Sequence, residues 1–214
     1  MVSQKKSSDN IQKIGAISGI LSIVFYISAA AFSFLPDAIA RLFGFSFPLL
    51  WIISYMGLYS FLKQERDSAS LQIAYLFGII GGALACTLIV IQQGNIMWHN
   101  EAMETATSDG AKSLLKATFR GVNRVQATMD VAFDIFITIS WILFGINIAR
   151  SKSFNVVLGY LGSSIALTLL TLNLYTFPNG PSEAGLIDGG PFLGLWALVF
   201  YIWFAIIVFK KKTP

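Results

Sequence analysis

The chain of 214 residues is 55% hydrophobic and 12% charged, and its formal net charge is +4. A soluble domain carries about 25% charged residues, so this composition excludes an ordinary soluble protein. One cysteine and one histidine exclude an intramolecular disulfide, a cysteine-cluster metal site and a bis-histidine haem site. The basic residues flank the apolar segments, so the positive charge does not indicate nucleic-acid binding.

Six apolar segments follow one another along the chain, each near the roughly 20 residues that span a bilayer. Their predicted bounds are 11–35, 44–62, 71–92, 126–148, 154–177 and 191–209. Backbone groups in lipid must hydrogen-bond to one another, so these segments predict helices. The sequence predicts an all-α integral membrane protein whose residues 1–214 form one six-helix bundle. Its loops are short, except for a longer connection between spans 3 and 4 that holds an amphipathic helix.

Span 1 follows a basic tail and has some features of a secretory signal peptide. Lys5 and Lys6 precede the apolar run, and the "AAA" at 29–31 resembles a small-residue cleavage site. The apolar run nevertheless continues through Phe32 and Phe34. We therefore expect span 1 to remain as a membrane helix.

Small residues at helical spacing recur in spans 1, 3 and 5. They are Gly15, Gly19, Gly78, Gly82, Ala85, Gly159 and Ser163. Small side chains let helix backbones approach closely, which is a main source of helix association in lipid. We expect these positions to pack helices within the chain, with a homodimer interface or a partner membrane subunit as the alternative.

Polar residues cluster at the outer end of span 3. Gln92, Asn95 and His99 share one helical face within about 60°. Spans 3 and 4 are joined by one connection, so their outer ends are expected to lie close together. A lone histidine at the end of a span is also typical of an interfacial residue, and that alternative stays open for His99.

The segment before span 4, "SDGAKSLLKATFRGVNRVQATMD", predicts a helix over 112–124. Ser108 or Asp109 can cap it, and Gly121 offers a place to bend. Four basic residues recur near every fourth position and fall on or beside the face that carries Asn123 and the aspartates of span 4: Lys112, Lys116, Arg120 and Arg124. They predict either electrostatic steering of ligands or a helix lying on the membrane surface near lipid phosphates.

Span 4 carries two aspartates, Asp130 and Asp134, on one helical face. A charged side chain at the bilayer centre costs about 2.5–3.5 kcal/mol on insertion scales, and such residues mark ion paths, proton relays or ligand sites. We predict a pocket formed by Asp134, Asp130, Gln92, Asn95 and His99, with Asn123 nearby. The alternatives are hydrogen bonding at the interface for Asp130 and neutral packing for Asp134.

Basic residues are distributed unequally over the two sides of the predicted bundle, ten against five. The ten are Lys5, Lys6, Lys13, Lys63, Arg66, Arg150, Lys152, Lys210, Lys211 and Lys212, and the five are Arg41, Lys112, Lys116, Arg120 and Arg124. Because cytoplasmic loops are rich in basic residues, both termini are predicted to be cytoplasmic. The chain contains no Asn-x-Ser/Thr sequon, which fits a bacterial inner-membrane protein.

These features favour a small polytopic membrane protein with an outward-facing polar cavity. The cavity would bind a proton, small cation or polar ligand through the two aspartates. Transport of that ligand is the further function that this arrangement would allow. Two alternatives stay open: a non-transporting lipid-binding or accessory subunit, and an intramembrane enzyme with a carboxylate-based site. No hydrolase or phosphate-loop motif occurs. We predict no cofactor, and no spacing specifies a metal.

Overall fold

The structure, a computed structural model, describes residues 2–31 and 36–210, with side chains at 7–29 and 36–210. It contains six helices: α1 (Val2–Ala31), α2 (Asp37–Glu65), α3 (Ala69–Thr105), α4 (Asp109–Ala149), α5 (Val156–Thr176) and α6 (Gly190–Lys210). Each includes a segment long and apolar enough to cross a membrane. The predicted all-α bundle of six membrane helices is confirmed, and the chain is a multi-pass membrane protein with helices in contact with lipid.

The helices extend beyond the predicted apolar spans, most of all in α3 and α4. α3 continues past Gln92 to Thr105, and α4 begins at Asp109. The segment 112–124 is helical as predicted, but it is continuous with span 4 and does not end at Gly121. This segment is therefore the first part of α4 and not a separate helix. The predicted end of span 1, residues 32–35, lies outside the described residues.

The helices form a closed ring in chain order. Each packs against the next, and α6 returns to α1. At the end where α1 begins and α6 finishes, which we call the termini side, the Lys13 ammonium lies 5.7 Å from the centre of the Phe209 ring. The opposite end, the far side, is the end where α2, α4 and α6 begin.

Aromatic side chains fill the ring interior toward the termini side. We call this the aromatic layer: Tyr55, Trp141, Phe144, Trp196, Phe200 and Tyr201. Trp141 is fully buried at its centre, and its ring centroid lies 5.1 Å from that of Trp196 and 5.5 Å from that of Tyr55. The Tyr201 hydroxyl shares a 2.7 Å hydrogen bond with the Ser54 hydroxyl. α2, α4 and α6 are thereby joined through the middle of the ring.

The far-side ends of α3 and α4 pair as an antiparallel helical hairpin. The Asn95 amide donates to the Asn123 side-chain oxygen at 2.8 Å and to the Phe119 carbonyl at 3.3 Å. The His99 ring stacks on Phe119 with centroids 4.4 Å apart. At 1.5 Å per residue, helices of 37 and 41 residues are about 55 and 60 Å long, well beyond a hydrocarbon core of about 30 Å. The hairpin therefore continues past the apolar spans.

The small residues predicted to pack helices do so within the chain. A Cβ added at Gly57 of α2 would lie 2.6 Å from the Gly15 Cα of α1, and Gly159 meets Gly145 and Ala149 at the α4–α5 contact. The Ser163 hydroxyl donates to the Ile142 carbonyl at 2.9 Å. Close backbone contact of this kind stabilises helix pairs in lipid.

We expect Gly57→Ala to lower the free energy of unfolding by about 1–3 kcal/mol, because the added methyl meets backbone that has no room to move. Gly121→Ala is the matched control. A Cβ there meets nothing within 4 Å, so this change should be neutral or stabilise by up to about 1 kcal/mol. Unfolding in mixed micelles measures both, and equal effects would contradict the close α1–α2 contact.

Candidate functional site

A cavity of about 370 Å³ occupies the half of the ring interior nearer the far side. Ligand sites are typically about 300–1,000 Å³, so the cavity has the size of a small-molecule site. All six helices contribute to its wall. Its lining residues are Ser22, Ile23, Tyr26, Ala29, Ala40, Arg41, Gly44, Phe47, Trp51, Ala85, Leu88, Ile89, Gln92, Gln93, Asp130, Phe133, Asp134, Ile137, Leu169, Asp188, Gly190, Leu193, Gly194 and Ala197.

The aromatic layer begins one helical turn beyond the cavity on three helices. On each of these helices a cavity-lining residue is followed four residues later by a member of the layer. The pairs are Trp51 and Tyr55 on α2, Ile137 and Trp141 on α4, and Ala197 and Tyr201 on α6. Residues four apart share a helix face. The end of the cavity nearer the termini side is therefore formed by the aromatic layer.

Three carboxylates line the cavity. Asp130 and Asp134 come from α4, as the sequence predicts, and Asp188 comes from the loop before α6. Both Asp130 and Asp188 are close enough to Asp134 to repel it electrostatically, and Tyr26 lies within electrostatic range of all three. The sequence reasoning missed Asp188. Its Oδ1 accepts a 2.8 Å hydrogen bond from the Gly190 backbone N–H at the start of α6, and an Asp before "GGP" is a helix-start signal that could have drawn attention to it.

Asp134 also has a neighbour in the helix packing. The buried Asn173 side chain of α5 lies close to its carboxyl group and donates to the Leu169 carbonyl at 3.2 Å. Asp134 is partly buried and Asp130 is exposed. Asp134 therefore combines an anchor on α5 with access to the cavity.

The remaining polar groups of the wall are a guanidinium, amides and hydroxyls. Arg41 was counted in the sequence only as a far-side charge, yet it lines the cavity together with Gln92 and Gln93. Among the described residues, no ion pair within 4.0 Å joins Arg41 to an aspartate; the pair found is Lys63–Asp67 at 3.6 Å. The Ser22 hydroxyl is occupied, because it donates to the Phe47 carbonyl at 3.0 Å.

An aromatic wall, formed by Tyr26, Phe47, Trp51 and Phe133, runs along the cavity. Ring centroids of successive members are 5.1, 6.4 and 6.0 Å apart. Phe133 precedes Asp134 in the chain, so the wall adjoins the carboxylates.

Three predicted site residues, Asn95, Asn123 and His99, do not line the cavity. They pack within the α3–α4 hairpin. Asn123 is seven residues before Asp130, or about 10 Å further toward the far side along α4. Of the residues predicted from span 3, Gln92 alone lines the cavity with the aspartates.

The four basic residues of the segment 112–124 also lie outside the cavity. They are Lys112, Lys116, Arg120 and Arg124, and all except Lys112 are exposed. Arg120 Nε donates to the Lys116 carbonyl at 3.3 Å on the same helix.

The described residues include no group of three or more His, Cys, Asp or Glu side chains arranged to hold a metal ion. The three aspartates line the cavity without forming such a group. No family model, curated protein or solved structure matches the chain.

Proposed function

We propose that this protein binds a cation in the cavity through Asp134, assisted by Asp130, and transports it across the membrane. The observation that supports the proposal most directly is that Asp134 lines an open volume, although packing against Asn173 could have enclosed it. The wall carries three carboxylates and one guanidinium. Fields of charges in a low-dielectric surrounding are stronger than in water, so the cavity favours a positive ligand.

The aromatic layer supports a transport cycle. Transporters commonly bind their substrate near the bilayer midplane and expose the site to one side at a time. In this protein the cavity lies toward the far side, and buried aromatic rings fill the interior on the termini side. The arrangement suits a state that is open to one side.

A screen of cations tests the proposal. Chloride salts of inorganic and organic cations are added to the purified protein at constant ionic strength, and thermal unfolding is followed. A ligand at 100 times its dissociation constant stabilises the folded state by about 2.7 kcal/mol, so a bound cation should raise the Tm. A Tm that no cation raises would contradict the proposal.

We also propose that both termini are cytoplasmic, which makes the cavity outward-facing in a bacterial inner membrane. Six spans place both termini on one side, and the basic asymmetry favours the cytoplasm. The asymmetry is counted from the sequence. Four of its basic residues, the side chains of Lys5 and Lys6 and the whole of Lys211 and Lys212, lie outside the part of the chain that the structure describes.

Cysteine labelling measures the orientation. The native Cys86 is first replaced by alanine, and Glu183→Cys then places a thiol in the loop between α5 and α6. We expect a membrane-impermeant maleimide to label this thiol in intact cells, and a matched thiol at Ser151 only after the membrane is opened. The reverse pattern would place the cavity on the cytoplasmic side.

The basic residues of the hairpin act against cation entry under this proposal. Arg124 lies six residues, or about 9 Å, from Asp130 along α4, which is close to the Debye length at physiological salt. Its charge and that of Arg120 would slow the approach of a cation, and salt would screen this effect. Under this proposal these residues do not steer the ligand toward the cavity, because positive charges attract anions and repel cations.

A non-transporting accessory subunit is the second candidate function, and the α3–α4 hairpin favours it. Trp98 and Leu114 on this extension are 74% and 69% exposed. Exposed apolar residues beyond a membrane span fit a docking surface for a partner subunit. This candidate would gain support if the protein bound no cation.

A further inference from the structure

We infer that the ligand of the cavity is an organic cation: an amine or quaternary ammonium ion with apolar substituents. This inference rests on the proposed function and specifies the class of its substrate. Three features of the cavity point to it: its volume, its aromatic lining and the apolar residues that line it together with the carboxylates.

The volume is larger than an inorganic ion requires. Water occupies about 30 Å³ per molecule in the liquid, so 370 Å³ equals roughly a dozen water molecules. A protein that binds a bare ion supplies a tight shell of oxygen ligands to replace its hydration. The described residues hold no group of three or more His, Cys, Asp or Glu side chains arranged for a metal ion, and a proton would need no cavity at all.

The aromatic wall supplies the surface that an organic cation binds. Aromatic faces attract ammonium groups within about 6 Å of the ring centroid, and cages of such rings recognise quaternary ammonium ligands. Trp51 and Phe133 are in contact, with centroids 6.0 Å apart. Tyr26 is near all three carboxylates, so an ammonium group between them can interact with rings and acids together.

The rest of the wall suits apolar substituents. Leu88, Ile137, Leu193 and Ala197 line the cavity beside the rings. A neutral polar ligand would bring no opposite charge to the three carboxylates, and an anion would be repelled by them. A cation with an apolar body satisfies both parts of the wall.

Calorimetric titration with tetraethylammonium chloride tests this inference, with sodium chloride at equal ionic strength as the reference. We expect tetraethylammonium to bind, and Asp134→Asn to abolish its binding. Trp51→Leu should weaken binding about tenfold, between the values expected for an exposed and for a desolvated cation–π contact. Trp51→Phe should restore most of the affinity because it keeps an aromatic face.

Two further variants keep the result interpretable. Trp203 of α6 is 50% exposed and does not line the cavity, so Trp203→Leu should bind like the wild type. If Trp51→Leu does not fold, Phe133→Leu is used in its place. Gel filtration and circular dichroism show whether each variant is folded.

The outcomes separate the inference from the proposed function. If sodium or protons bind through Asp134 and tetraethylammonium does not, the organic-cation inference fails and the proposed function stands. Equal tetraethylammonium affinity in the wild type, Trp51→Leu and Phe133→Leu also overturns the inference. If no cation shows Asp134-dependent binding, both fail.

Discussion

Replacing Asp134 with asparagine is expected to abolish cation binding and to leave the fold intact. Asparagine keeps the shape and a hydrogen-bonding group but removes the charge. Truncating one partner of a buried charge pair costs about 2–5 kcal/mol, which corresponds to roughly 30-fold to several thousand-fold in affinity. An asparagine of the same shape can still pack beside the buried Asn173 side chain, so the contact between α4 and α5 persists.

Asp130 gives an internal comparison. It lines the same cavity but is exposed, and exposed ion pairs contribute about 0–1 kcal/mol. Asp130→Asn should therefore weaken binding by no more than about fivefold. Asp109→Asn, at the exposed start of α4, is the control that removes an acid far from the cavity. Titration of all three variants decides the order, and equal losses in Asp134→Asn and Asp109→Asn would show that Asp134 is a packing residue.

Truncating Trp141 should produce the largest loss of stability. Trp141 is fully buried and contacts rings from α2 and α6. Substitution of a buried tryptophan by alanine costs about 3–5 kcal/mol, because the surrounding rings cannot close the space it leaves. We expect Trp141→Ala to lower the free energy of unfolding by that amount.

Trp203→Ala is the matched control, because Trp203 lies on α6 with half of its surface exposed. Its loss should cost well under half as much, since a lipid tail can replace the contacts of the ring. Steric trapping or unfolding in mixed micelles gives both values. If Trp141→Ala and Trp203→Ala lower the free energy of unfolding by the same amount, the aromatic layer is not the structural centre of the ring.

The fold was predictable because the bilayer sets the length of each span. Apolar runs of the required length identified six helices, and polar breaks separated them. Hydropathy alone did not give the bounds of α3 and α4, because polar residues interrupt the apolar runs beyond Gln92 and before residue 126, although periodicity did predict a helix over 112–124. What holds that hairpin together is pairing between Asn95 and Asn123 and between His99 and Phe119, which no periodicity in one segment reveals.

The site was predictable only along single helices. Asp130 and Asp134 share a face by their spacing, and Gln92 joins them because α3 and α4 are antiparallel neighbours. Asp188 and Arg41 come from a loop and from the start of α2, and their approach depends on closure of the ring. The sequence reasoning grouped Asn95 and His99 with the aspartates because helical spacing gives the face of a helix on which a residue lies. It does not give the residue's position along the bundle relative to a neighbouring helix. They lie further toward the far side and contact α4 in the hairpin.

The most direct measurement of the central proposal is the infrared difference spectrum of the reconstituted protein when a cation binds. The wild type is compared with Asp134→Asn during titration with tetraethylammonium chloride and, separately, with sodium chloride. If Asp134 binds the cation, at least one of these salts should shift a carboxyl band of the wild type, and that shift should be absent from the variant. If both proteins give the same difference spectrum for both salts, Asp134 does not contact the cation and the proposed site is wrong.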